Sequence, residues 1–176
     1  IGDIPGGKQV WYQKHMVQHN LPGKDLNWVD NMYNIFLIRH PMEVILSYIK
    51  KYEIRNIMQL GYNQQYELYT MLKEGSSAVP LVLDAQDVLE YPEGMLKELC
   101  RRLDIPFYKE MLSWPVGRRD SDGIWGKHWY GSVVGSTGFQ EYAANHDILP
   151  LNLQAIYSDC MESYQQLYQQ RIRIIS

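Results

Sequence analysis

The chain has 176 residues, 45% of them hydrophobic and 21% charged, with a formal net charge of −3. One core is the expectation at that length, since a domain near this size buries ~70% of its unfolded surface. The negative balance gives a nucleic-acid partner no electrostatic footing, and no run approaches the ~20 apolar residues that a membrane span needs.

At the N-terminus, Gly2 to Lys8 satisfies G-x-x-x-x-G-K, but Gln9 stands where a P-loop has Ser or Thr. No strand precedes it, so it reads as a plain turn. Residues 9–13 read as a short strand, and 16–32 as helical turns broken at Pro22-Gly23. Residues 34–38 read as the central, buried strand, because the apolar run Ile35-Phe36-Leu37-Ile38 stops abruptly at Arg39-His40-Pro41. A helix follows over 41–52, with Val44, Ile45, Tyr48 and Ile49 at helical spacing. Pro41 suits its first turn, where a backbone N–H has no partner. A long helix is predicted over 54–74, ended by Gly75-Ser76-Ser77, and a strand over 79–83. Asp84 starts a turn, and Pro92 opens a helix to Leu103. Residues 113–136 are loop-rich, with a short helix near 127–133. Residues 151–170 form a closing amphipathic helix with Cys160, Tyr164 and Leu167 on its inner face. Strands alternating with helices predict an α/β fold with a parallel sheet flanked by helices, in one domain over 1–176.

The two cysteines, Cys100 and Cys160, lie in apolar helical patterns without metal-ligand spacing. They are expected as buried thiols, which fits a reducing cytoplasm, and no basic-then-apolar leader is visible. Fourteen tyrosines and five tryptophans are expected as core and pocket walls, because such a ring buries one end and wets the other.

Charge at the end of a strand marks the edge where open α/β sheets bind ligands. A helix N-terminus there adds N–H groups and partial positive charge suited to phosphate. Arg39 adds a forked donor, and Ser47 is the only hydroxyl on the helix before Tyr48. The run FLIRHPMEVILSY, with its Arg-x7-Ser spacing, resembles sulfotransferases. In that family an Arg at the strand end and a Ser in the next helix hold the 3′-phosphate of 3′-phosphoadenosine 5′-phosphosulfate (PAPS). The family more often has Asp or Asn at the position of His40. VLDAQDVLEYPEGMLKELCRRLDIPF (82–107), WPVGRRDSDGIWGKHWYGSVVGSTGF (114–139) and YQKHMVQHNLP (12–22) resemble further blocks in family order. The resemblance runs from Tyr12 to about Tyr168.

It implies a P-loop nucleotide-hydrolase-like sulfotransferase fold lacking its first strand–loop–helix, the unit that cradles the phosphosulfate. The expectation is an N-terminal truncation of about one βαβ unit, ~30 residues or more. Without that unit the polypeptide is not expected to transfer sulfate alone. The implied donor is PAPS, the product is the bisphosphate PAP, and no metal is expected. The acceptor is a hydroxyl or amine of a small molecule, and a homo-oligomer stays open.

By the same resemblance, Lys14 is similar to the lysine that many sulfotransferases place near the transferred group; a solvated strand-end lysine is the plain alternative. A general base wants a pKa near the working pH, which points to histidine. The family's Lys-x-His is broken here, because Met16 follows Lys14-His15. His19 is favoured over His15. In a helix these two share a face, four residues apart, but the glutamate of H-E-x-x-H is absent and no third metal ligand is evident. Arg118 and Arg119 are candidates for the 3′-phosphate. Trp125, Trp129 or Phe139 are candidates to stack on adenine, a contact of ~1–3 kcal/mol. His128 is a further candidate acid or base. The glycines of this block suit a closing loop.

Two other classes stay open. A P-loop kinase-like protein binding ATP and magnesium wants a Walker lysine and a strand-end Asp; the strand ends offer Arg39 and Asp84, half of that set. The other is a non-catalytic domain that keeps the sulfotransferase fold.

Overall fold

The computed structural model describes residues 5–19, 26–75, 78–118, 134–145 and 147–174. They fall into two compact units, one within Ile1–Leu83 and Asn145–Arg171, the other within Asp84–Ala144 and Ile172–Ser176.

In the first unit the predicted strand–turn–helix is present. Strand β1 (Ile35–Ile38) leads into helix α1 (Pro41–Tyr48). Helix α2 (Tyr62–Gly75) follows, then strand β2 (Leu81–Asp84). β1 and β2 form a small parallel sheet, entered by a bond from Leu81 N–H to the Asn34 carbonyl at 2.9 Å. β2 also bridges in parallel to Arg171. Among the described residues β2, not β1, is therefore the strand with neighbours on both sides. β1 buries Phe36 and Ile38 and exposes Ile35 and Leu37. It is half-buried, where a strand covered on both faces was expected.

Two further expectations differ from the structure. Residues 9–13 belong to no strand; Val10, Trp11 and Tyr12 are exposed. A β-prone stretch becomes a strand only when another pairs with it. The helix expected from 54 begins at Tyr62. It is preceded by a 3₁₀ turn, Ile57–Gln59, closed by a capping box at Asn56. Gly61 takes φ +78 and breaks the helical path.

The C-terminal helix of this unit, labelled α5 (Gln154–Gln169), is entered through a 3₁₀ turn at Leu151–Leu153. Its Cys160, Tyr164 and Leu167 pack with Phe36, Ile38, Tyr69, Leu72 and Val82 in the main core. Ile45 and Leu46 of α1 form a second cluster with Leu149 and Leu153.

In the second unit Asp84 caps helix α3 (Ala85–Glu90) by accepting from Gln86 N–H at 2.8 Å. Helix α4 (Pro92–Arg102) starts on its proline, as expected. It buries Met95 and Cys100, and the Cys100 sulfur lies 3.9 Å from that of Met111. The ends of the loop-rich block are tied together. Ser113 bridges to Gly138, and the Trp114 indole donates to the Ser136 hydroxyl at 3.0 Å. The short helix expected near 127–133 lies outside the described residues.

Candidate functional site

Arg39 follows the last residue of β1. Its carbonyl accepts from the buried Tyr62 hydroxyl at 2.7 Å. Its Nε donates to Glu43 Oε2 at 2.7 Å. The Arg39 side chain is 52% exposed and that of Glu43 only 8%. A buried carboxylate is costly unless a cation and hydrogen bonds meet it, and Arg39 meets this one. The bond occupies the Nε side of the guanidinium; the end bearing both Nη groups is not part of it.

α1 begins with its amides already engaged. Pro41 has no N–H. Met42 N–H donates to His40 Nδ1 at 3.3 Å, and Glu43 and Val44 donate to the His40 carbonyl at 3.0 and 3.3 Å. For the first of these bonds the His40 ring must be neutral, with its proton on Nε2. The ring packs against Tyr157 and Tyr164 of α5, with centroids at 6.2 and 5.5 Å. Of the anion-binding features expected here, the helix dipole remains, but these amides are satisfied within the turn. An oxyanion would depend on side chains. Ser47 is exposed on α1. Glu43 and Ser47 lie four residues apart on α1, and Arg39 precedes the helix.

The histidine segment is only partly as expected. His15 is exposed, with Nε2 3.0 Å from Gln13 Oε1 and its ring 4.9 Å from that of Trp28. Lys14 is exposed and follows an unpaired segment rather than a strand. His19 ends a 3₁₀ turn, Val17–His19, and its side chain lies outside the described residues. No α-helix joins His15 to His19, so the shared helical face does not form. Among the described residues no group of three His, Cys, Asp or Glu side chains could hold a metal. The turn is nonetheless pressed against the start of α2. A Cβ at Gly61 would meet Val17 Cγ1 at 2.8 Å. The next residue, Tyr62, is the one that holds the Arg39 carbonyl. One chain of contacts therefore links the histidine turn to Arg39.

In the second unit Arg118 is exposed. Phe139 meets Trp114 edge-on at 5.5 Å, which accounts for part of its ring surface. Arg119, Trp125, His128 and Trp129 lie outside the described residues. Asp84 acts as a helix cap, which accounts for the strand-end acid without a metal. Burial raises the thiol of Cys100, and burial with help from Asp159 pushes Cys160 up to about 12. Both thiols stay protonated near neutrality and are poor nucleophiles.

Glu43 and Tyr62 were not singled out from the sequence. Glu43 carried a usable signal, since it stands four residues after Arg39, the spacing of a helical ion pair. Tyr62 carried none, being 23 residues from its partner.

A family model described as a sulfotransferase domain matches residues 5–167. The chain is similar to two proteins of Arabidopsis thaliana. One, named branched-chain-amino-acid aminotransferase-like protein 2, is 29% identical over 160 residues, covering 91% of this chain and 28% of the relative. The other, named branched-chain-amino-acid aminotransferase-like protein 1, is 34% identical over 134 residues, covering 76% of this chain and 24% of the relative. The chain thus spans about a quarter of the length of the curated relatives it matches. No solved structure matches it. With a half-exposed arginine at the β1–α1 junction and a family match over nearly its whole length, the chain belongs to the sulfotransferase domain family.

Proposed function

We propose that this domain binds PAPS through its 3′-phosphate and serves transfer of the sulfuryl group to a hydroxyl or amine of a small-molecule acceptor. The observation that carries the reading is the Arg39 guanidinium, half exposed above a buried carboxylate at the end of β1. With the first α1 amides engaged, Arg39 and Ser47 supply the donors that fit a phosphate dianion. When bound, the donor supplies an activated sulfuryl group on a phosphosulfate anhydride. His19, or His15, takes the acceptor's proton, and the Lys14 ammonium offsets charge on the leaving phosphate. Arg118, Arg119 and Trp125 are proposed as further nucleotide-binding residues. No metal takes part in this scheme. A cytoplasmic setting belongs to the proposal and is supported by two free, buried thiols. Among the described residues no helix is long and apolar enough to cross a membrane.

The test is ligand-dependent stability. A ligand that binds only the native state raises stability by ~2.7 kcal/mol at a hundredfold excess over Kd. The expected result is a higher Tm with 3′,5′-bisphosphoadenosine and little change with ATP and magnesium. In the full-length protein His19→Ala should lower turnover and leave bisphosphate affinity unchanged; an active variant passes the role to His15 or His128. No shift with either nucleotide would support the second reading, a non-catalytic domain of the same fold. The ion pair already made by Arg39 is the observation that favours that alternative, since it meets part of the guanidinium's charge.

A further inference from the structure

Resting on the sulfotransferase reading, we infer that Glu43 and Tyr62 are positioning residues that hold the Arg39 guanidinium ready for the nucleotide's 3′-phosphate. Arg39 is anchored twice. The Tyr62 hydroxyl holds its carbonyl at 2.7 Å, and Glu43 holds its Nε at 2.7 Å. The anchors come from different helices, α2 and α1, and both are buried while the arginine is half exposed. A guanidinium has two edges able to make paired bonds: one through Nε, and the end bearing both Nη groups. The carboxylate on Nε takes the first and leaves the second for another oxyanion. An arginine already fixed in this way loses less rotamer freedom when it clasps a ligand.

The same carboxylate also repels a phosphate, so two effects oppose each other, and substitutions separate them. Glu43→Gln keeps an oxygen for Nε and removes the repulsion. Glu43→Leu keeps an apolar side chain of similar size and removes the acceptor.

The experiment compares affinities of the full-length protein for 3′,5′-bisphosphoadenosine and adenosine 5′-monophosphate by calorimetry. Their ratio reads recognition of the 3′-phosphate, whereas a general loss of structure weakens both ligands together. Arg39→Ala should abolish the preference. Glu43→Leu should cut it about tenfold, the scale of one charge-assisted bond. Glu43→Gln should keep or raise it. Tyr62→Phe should cut it about threefold, the scale of a neutral hydrogen bond. A folded Glu43→Leu variant with unchanged or raised preference overturns the inference, since the carboxylate would then compete rather than orient.

Solvent exchange of the Arg39 Nε–H, read by NMR without nucleotide, gives an independent arm. It should be slow in the wild type and in Glu43→Gln. Fast exchange in the wild type overturns the positioning role alone, while a wild type without preference for the 3′-phosphate overturns the nucleotide reading alone. If Glu43→Leu does not fold, Tyr62→Phe and the wild-type exchange rate decide the matter.

Discussion

A methyl group at Gly61 would test how firmly the histidine turn is seated. Gly61 has φ +78, where an L side chain is strained, and its Cβ would press on Val17 Cγ1 at 2.8 Å. Strain of that kind costs ~1–3 kcal/mol. Gly61→Ala should therefore lower the unfolding free energy by about that amount, read by urea titration. It should also disturb the Val17–His19 turn, because the valine must move to admit the methyl. Val17→Ala should recover part of the loss by making room; no recovery would mean that strain at φ, not crowding, sets the cost.

At the scale of the element, α1 is a short helix whose start is organised by a histidine. His40 caps Met42 N–H through Nδ1, and Pro41 occupies the first position. Loss of an N-cap typically costs ~1 kcal/mol, while a swap among good caps costs little. We expect His40→Ala to destabilise the protein by about 1 kcal/mol and His40→Asn to be close to neutral, measured by denaturant unfolding. An equal loss in both variants would assign the effect to the ring contacts with Tyr157 and Tyr164 instead of the cap. The helix is held in place by Ile45 and Leu46. Its cap shapes the first turn, and that turn carries the glutamate that meets Arg39.

At the scale of the whole molecule, the main core closes around a thiol. Cys160 is fully buried among residues of β1, β2, α2 and α5. Burial pushes it from an ordinary 9.0 up to about 12. The folded state thus holds this proton more tightly than the unfolded chain. The associated stability is present in full below pH 9 and is lost as pH rises toward 12. Tyr69, also raised by burial, adds to the same alkaline slope. Cys160→Ala should start less stable, because it leaves a small cavity. It should then lose less stability than the wild type between pH 9 and 12. Parallel pH profiles for the two proteins would show that the thiol does not contribute to the slope.

The junction of β1 and α1, the proline-started α4 and the amphipathic α5 were legible in the amino-acid sequence, and so was the family. The signals there are local: an apolar run cut by charge, a proline at a first turn, apolar side chains at helical intervals. The arginine with its serine eight residues on was equally readable. What surrounds Arg39 was decided by tertiary structure. Tyr62 reaches its carbonyl across 23 residues, and the burial of Glu43 beneath a half-exposed Arg39 depends on packing, although their four-residue spacing was local. The α1 amides that looked available are satisfied by His40. Residues 9–13 have strand composition but no strand beside them among the described residues, and Gly61 halts a helix that periodicity alone would carry through. Propensity and spacing act within a few residues along the chain, whereas strand pairing, side-chain burial and the choice of hydrogen-bond partner depend on which distant segments the fold brings into contact.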